Sequence, residues 1–204
     1  MTTARVRSHY HHGDLERALI LTARKLVKKY GVEHLSLRQV AQEIGVSPSA
    51  AYHYFSDRDS LLAALGESLF EELADYQDQE LSKVQGSGIR AAKERFRTLG
   101  RTYFEWAQRE PHFFELMFSE LCNTEAAKKR GKSKEETRAF VNLSESLNDL
   151  LEVGGLDPKM RPYGELLAWS IVHGATSLIS VGHFEPEYFD EVMDGLEISL
   201  GIRK

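Results

Sequence analysis

Apolar positions along the chain recur at steps of three and four, and no stretch alternates with a period of two. In residues 14–30 the set Leu15, Leu19, Ala23, Leu26, Val27 and Tyr30 falls on one helix face, and Gly31 follows where the helix ends. Two short helices come next. Ser36 opens Ser-Leu-Arg-Gln, a capping box: its hydroxyl accepts from the Gln39 backbone, and the Gln39 side chain can reach back. Leu35 and Val40 form a hydrophobic staple around that cap, with Leu37, Val40, Ala41 and Ile44 facing inward. Gly45 closes this helix. Ser47 caps another with Pro48 at its first position, where a missing N–H costs nothing, and Val46 with Ala51 makes a second staple. This helix runs through Tyr54-Phe55, both assigned to packing.

Ser56-Asp57-Arg58-Asp59 starts a longer helix with a stripe of Leu62, Leu65, Leu69, Leu73 and Tyr76. Gly86-Ser87-Gly88 interrupts the pattern. A helix carrying Ala92, Phe96, Leu99, Tyr103, Trp106 and Ala107 follows and ends near Glu110-Pro111, where the aromatic segment PHFFELMF begins. Residues 122–136 are polar, and 137–153 read as a further helix broken by Gly154-Gly155. Two last helices occupy about 162–181 and 187–201. The first is apolar nearly all round, and such a helix must be covered on every side. A second copy of the chain supplies the cover, which predicts a homodimer with a two-fold four-helix interface. The plain alternative is that both are core helices of a monomer. The fold class is all-α: an N-terminal three-helix domain over 13–73, and a helical effector-binding and dimerisation domain over 74–204.

Composition changes this picture little. With 42% hydrophobic and 28% charged residues in 204, the chain can bury a core and is not a disordered polymer. No run reaches the roughly 18 apolar residues that cross a bilayer, so no membrane partner is expected. The N-terminal MTTARVRSHYHHGDLERA lacks the apolar stretch of a secretory signal. Cys122 stands alone and suits a reducing cytoplasm. Charge is more informative. Residues 1–58 carry nine Lys/Arg and five Asp/Glu, a balance of +4, while the other 146 carry 17 and 26, a balance of −9. Moving the cut past Asp59 lowers the head to +3. A basic head on an acidic body is the charge pattern of a tethered nucleic-acid module.

The two short helices joined by Gly-Val-Ser form a helix-turn-helix, residues 36–55. The second exposes small residues at its start, Ser47, Pro48, Ser49 and Ala50, which lets its tip approach base edges in a major groove about 12 Å wide. Tyr52 and His53 then present polar tips suited to backbone contact. Ser36 and Ser47 are caps whether or not DNA binds.

At this point residues 13–73 resemble the DNA-binding domain of the TetR family of transcriptional regulators. The resemblance rests on the 14–30 helix ending in Tyr30-Gly31, then L-S-L-R-Q-V-A-Q-E-I-G-V-S, A-Y-H-Y-F and D-R-D-S-L. YHHGDLERA and the later Trp169, His173 and Gly174 resemble a subgroup with a Trp-His-Gly signature. The resemblance implies double-stranded, palindromic operator DNA as partner. It places Ser36 and Arg38 at phosphates or a base edge, Ser47, Pro48, Ser49 and Ala50 at the bases, and Tyr52, His53 and Arg58 at phosphates. Ala50 departs from the glycine common there, and Arg58 stands where relatives commonly have lysine. Arg5 and Arg7 form either an arm toward the minor groove or a plain tail.

Enzyme readings fail their context tests. Gly86-Ser87-Gly88-Ile89-Arg90-Ala91 fits a dinucleotide loop, but no βαβ pattern surrounds it, and Gly131-Lys132-Ser133 lacks both a leading strand and the first glycine of a phosphate loop. His9, His11 and His12 read as a solvated tail, and His112, His173 and His183 have no ligand spacing, so neither a metal nor a cofactor is expected. The C-terminal part is rich in aromatics, and the resemblance implies a pocket there for a small apolar or aromatic effector, with Trp106, Phe113, Met117, Trp169 and His173 expected to line or close it. Such an effector would shift the DNA-binding heads between two positions. The alternative is a helical ligand- or partner-binding protein whose head does not read DNA.

Overall fold

The computed structural model describes residues 12–119 and 137–203. Arg5, Arg7, His9, His11 and the polar residues 122–136, with Cys122 and Gly131-Lys132-Ser133 among them, lie outside the described residues. The described residues are all-helical, with no strand among them: α1 (His12–Tyr30), α2 (Leu37–Ile44), α3 (Pro48–Tyr54), α4 (Arg58–Leu81), α5 (Gly88–Arg109), α6 (Pro111–Phe118), α7 (Arg138–Glu152), α8 (Gly164–Ser180) and α9 (Tyr188–Ser199). Short 3-10 turns precede α2 (Val32–His34) and α8 (Arg161–Tyr163).

The helix ends follow from the local sequence. Ser36 Oγ accepts from Gln39 N at 3.2 Å and caps α2, while Ser47 Oγ accepts from Ala50 N at 3.2 Å and caps α3. Gly45 sits in the left-handed region (φ 84°, ψ 24°), and Val46 N returns to Ala41 O at 3.0 Å. That is a Schellman ending, which needs a residue without a Cβ at that φ. Asp57, rather than Ser56, caps α4. Its Oδ1 accepts from Ser60 N at 2.7 Å, and Asp57 N donates back to Ser60 Oγ at 3.3 Å. This is a capping box with serine in the glutamate's place.

The chain divides into two compact units, one containing residues 12–68 and the other 69–118 with 137–203. In the first, α1 packs on α2 and α3, and α2 packs on α3. Leu19, Ala23, Val40, Ala41, Ala51 and Phe55 are fully buried there. Both members of the Leu35–Val40 staple are buried, and Ile44 is half-buried. α4 is more apolar than a single stripe: Leu61, Leu62, Ala63, Ala64 and Leu65 are all buried.

In the second unit α5 packs against α6, α7 and α8, and α8 packs against α7 and α9. A Cβ on Gly100 would stand 2.6 Å from Met193 Sδ, so α5 and α9 meet closely through that glycine. Glu197, 5% exposed, is held by Lys93 Nζ at 2.8 Å and Arg97 Nη1 at 2.9 Å, and Arg97 Nη1 also reaches Asp194 at 2.7 Å. A buried carboxylate needs such partners. Arg138, opening α7, bonds Glu71 Oε2 at 3.2 Å and Asp78 Oδ2 at 3.0 Å on α4.

Candidate functional site

The helix-turn-helix occupies the first unit. α3 has a clean division of faces. Ala51 is fully buried and Phe55, just past its end, is too, which brings the opposite face to the surface. Ser47, Pro48 and Ser49 are exposed, Ala50 is half-buried, and Tyr52 and His53 are exposed. On α2 and its cap, Ser36 and Arg38 are exposed as well. Eight of the residues expected from sequence thus sit on the surface of one unit with no more than α2, a glycine turn and α3 between them. The His53 ring meets Tyr54 edge-on at 5.4 Å.

Arg58 is placed differently. Its Nε donates to Leu35 O at 3.1 Å and its Nη2 to Val32 O at 2.7 Å, while Nη1 lies 3.6 Å from Asp59 Oδ1. The guanidinium therefore ties the start of α4 to the segment that leads into the Ser36 cap. Sequence reading missed this role, because a tether to backbone carbonyls 23 and 26 residues away leaves no local signature.

The second unit holds an apolar cavity of about 50 Å³, lined among others by Phe96, Leu99, Gly100, Tyr103, Leu143, Trp169, Val172 and Met193. Of the five aromatic and methionine positions expected to line a pocket, Trp169 does so. Trp106, Phe113 and Met117 are buried, at 3%, 1% and 1% exposure, but are not among the lining residues. His173 is half-buried, and its Nδ1 pairs with the Tyr103 hydroxyl at 2.8 Å. Tyr103 also meets Phe114, Trp169 and Phe118 in edge-on or tilted contacts. Burial pushes the Tyr103 phenol well above its ordinary range, so the ring is neutral. Gln77, on α4, lines the same cavity and was not singled out by the sequence. Groups of histidine, cysteine and carboxylates with the geometry to hold a metal ion are absent among the described residues.

An exposed, small-residue second helix braced in a three-helix head, followed by a helical unit with an apolar cavity, defines a class: helix-turn-helix regulators with a separate C-terminal helical part. Comparison with known proteins makes the assignment specific. Residues 19–65 match the family described as bacterial regulatory proteins, tetR family, and residues 96–197 match the tetracyclin repressor-like C-terminal domain. The chain belongs to the TetR family, and it is a DNA-binding transcription regulator rather than an enzyme. The C-terminal match does not single out a Trp-His-Gly subgroup. A protein of unknown function from Rhodococcus sp. RHA1 is similar in structure, with 26% identity, a TM-score of 0.68, and 97% of this chain and 100% of that one covered. A TetR family transcription regulator from Marinobacter aquaeolei VT8 shares the fold at 20% identity and TM-score 0.63, covering 92% and 96%. The fatty acid degradation regulator of Bacillus halodurans does so at 15% identity and TM-score 0.65, covering 95% and 100%.

Proposed function

We propose that the protein is a cytoplasmic homodimeric repressor that binds a palindromic operator and is released by a small, mostly apolar effector. In this reading residues 13–73 bind DNA, and 74–204 bind the effector and dimerise. Ser47, Pro48, Ser49 and Ala50 meet the bases, and Ser36, Arg38, Tyr52, His53 and Arg58 meet phosphates or flank them. The observation that carries it is the division of α3: Ala51 is buried while Ser47, Pro48 and Ser49 are exposed, so the small-residue tip is free to enter a groove.

The dimer surface is α8 with α9. Leu166, Val181 and Ile198 are 70%, 64% and 79% exposed, and Leu178, Phe184 and Tyr188 are exposed beside an apolar groove between the two helices. Leu166, Ser170, Gly174, Leu178 and Val181 recur at steps of four and three, as do Tyr188, Glu191, Gly195 and Ile198. A Cβ on Gly174 or Gly195 would meet nothing within 4 Å, so neither glycine is required by its own chain. Small residues on an apolar stripe suit the close approach of helices from a second copy. Among the described residues no helix is long and apolar enough to cross a membrane.

A gel shift with DNA flanking the protein's own gene tests the regulator reading. Specific binding is expected to fall steeply with salt, because phosphate contacts release counterions, and Ser49 substitutions are expected to change base preference. Binding indifferent to sequence overturns it and leaves a ligand-binding helical protein whose head does not read DNA.

A further inference from the structure

Among the described residues, one that lines the cavity in the second unit carries a buried polar atom without a partner. Gln77 is 4% exposed, lines the cavity, and its Oε1 is buried without a hydrogen-bond partner. The Ser146 and Thr176 hydroxyls are also unpartnered and buried, but neither lines the cavity. A helical hydroxyl reaches the carbonyl one turn back by rotating, as Thr102 Oγ1 does to Thr98 O at 2.8 Å. A carboxamide on the long glutamine stem has no such local recourse, and a buried amide oxygen without a donor is costly.

The rest of the lining narrows what could satisfy it. No lining residue is charged, so an ionic ligand would lose its hydration without gaining a counter-charge. The Tyr103 hydroxyl is already engaged with His173, whereas the Gln77 oxygen is a buried acceptor that still needs a donor. Water is a poor occupant, because an ordered buried water needs two to four polar partners. The present 50 Å³ is also well under the roughly 150 Å³ that accommodates a benzene ring, so an effector must enlarge the space. Met193 is the element suited to give way. It lines the cavity, its thioether lies over Gly100 where no Cβ stands, and it turns about three bonds.

We propose that this cavity is the effector subsite and that it selects a neutral, largely apolar alcohol, whose hydroxyl donates to Gln77 Oε1 while its hydrocarbon occupies the space vacated by the Met193 side chain. The proposal rests on the reading of the second unit as effector-binding and adds the chemical class of effector to it.

The test uses the full-length protein and three probes of one shape: phenethyl alcohol, phenethyl methyl ether and phenylacetate. Binding is followed by tryptophan fluorescence, since Trp169 lines the cavity, and by calorimetry. Phenethyl alcohol is expected to bind about tenfold tighter than the ether, which has no donor, and phenylacetate weakest. Gln77→Leu and Gln77→Met are both expected to abolish the preference for alcohol over ether. Both are expected to unfold at no lower temperature than the parent, because each removes an unsatisfied polar group. Equal affinity for alcohol and ether in the parent overturns the proposal, as does a preference that persists in both variants or an alcohol that does not bind. A gel shift on the parent protein with no probe present reports on the regulator reading separately, since it reads specific DNA binding alone.

Discussion

Replacing Arg58 with alanine separates two things its guanidinium does in the first unit. Nε and Nη2 hold the carbonyls of Leu35 and Val32 at 3.1 Å and 2.7 Å, while Nη1 lies 3.6 Å from Asp59. A hydrogen bond from a charged donor contributes about 1.5–3 kcal/mol when well buried. The Arg58 side chain is 32% exposed, so water replaces part of what is lost, and the pair is worth about 1–2 kcal/mol. That loss falls on the segment from Val32 to Leu37, which enters the Ser36 cap. Local opening there is expected to rise about 5- to 30-fold. Amide hydrogen exchange on peptides covering 30–46 reads it directly. Tryptophan fluorescence would miss it, because Trp106 and Trp169 both lie in the other unit. Arg58→Lys keeps the charge but can serve only one carbonyl, so it recovers part of the protection. On DNA, Arg58→Ala is expected to weaken binding to every sequence and to lower the salt slope by about 1, with Arg58→Lys restoring the slope. Unchanged exchange in the alanine variant refutes the tether. An unchanged salt slope refutes the phosphate contact and leaves the tether standing.

Further outcomes follow from the same geometry. Ser47→Ala is expected to cost about 1 kcal/mol by loss of the α3 cap, whereas Ser47→Asp keeps the cap and places a negative charge at the proposed DNA surface, so thermal unfolding and gel shift should diverge between the two. Gly45→Ala meets nothing within 4 Å, so its cost, about 1–2 kcal/mol in a denaturant titration, comes from the backbone alone at φ 84°. The Asp57 carboxyl is held below the ordinary carboxylate range first by the Ser60 backbone N–H and then by the Ser56 hydroxyl. A depressed carboxylate contributes stability above its unfolded pKa and loses it as pH falls through the folded one. The stability gap between parent and Asp57→Asn should therefore be full at neutral pH and close below about pH 4 in an acid titration. Gly195→Arg has open space in its own chain, so the subunit should fold while light scattering reports monomer. Retention of a dimer would exclude this stripe of α9 as the interface.

The head was legible because its instructions are local. Ser36 and Ser47 each cap within three residues, Gly45 is needed at a positive φ, and the Leu35–Val40 staple spans five positions, so the boundaries of α2 and α3 are written in the residues beside them. The same locality explains the resemblance of this stretch to the TetR head. Where the instruction is long-range, the sequence was silent. The Arg58 tether joins residues brought together only by the fold. The sequence left the cap of α4 open within Ser56-Asp57-Arg58-Asp59, because Asp57 and Ser56 are equally good candidates until the backbone chooses Asp57.

The second unit shows a different limit. Periodicity tells which residues turn inward, but not whether the space they enclose is filled. Trp106, Phe113 and Met117 are buried away from the gap, whereas Trp169 borders it. The gap depends on small residues that hydrophobic patterning does not weight. Gly100 admits the Met193 thioether, and Ala139 and Ala168 stand in the lining where larger side chains would close it. Gln77 was invisible for the opposite reason. On α4 it is one polar residue in a segment with Glu71, Glu72, Asp75 and Asp78, and nothing in that composition marks it as the one that is buried. Such a helical unit can therefore keep its pattern intact and change the cavity it holds by altering a few small or polar residues in the lining. The rigid, locally specified head has no such freedom, since each of its caps and turns is fixed by neighbours in sequence.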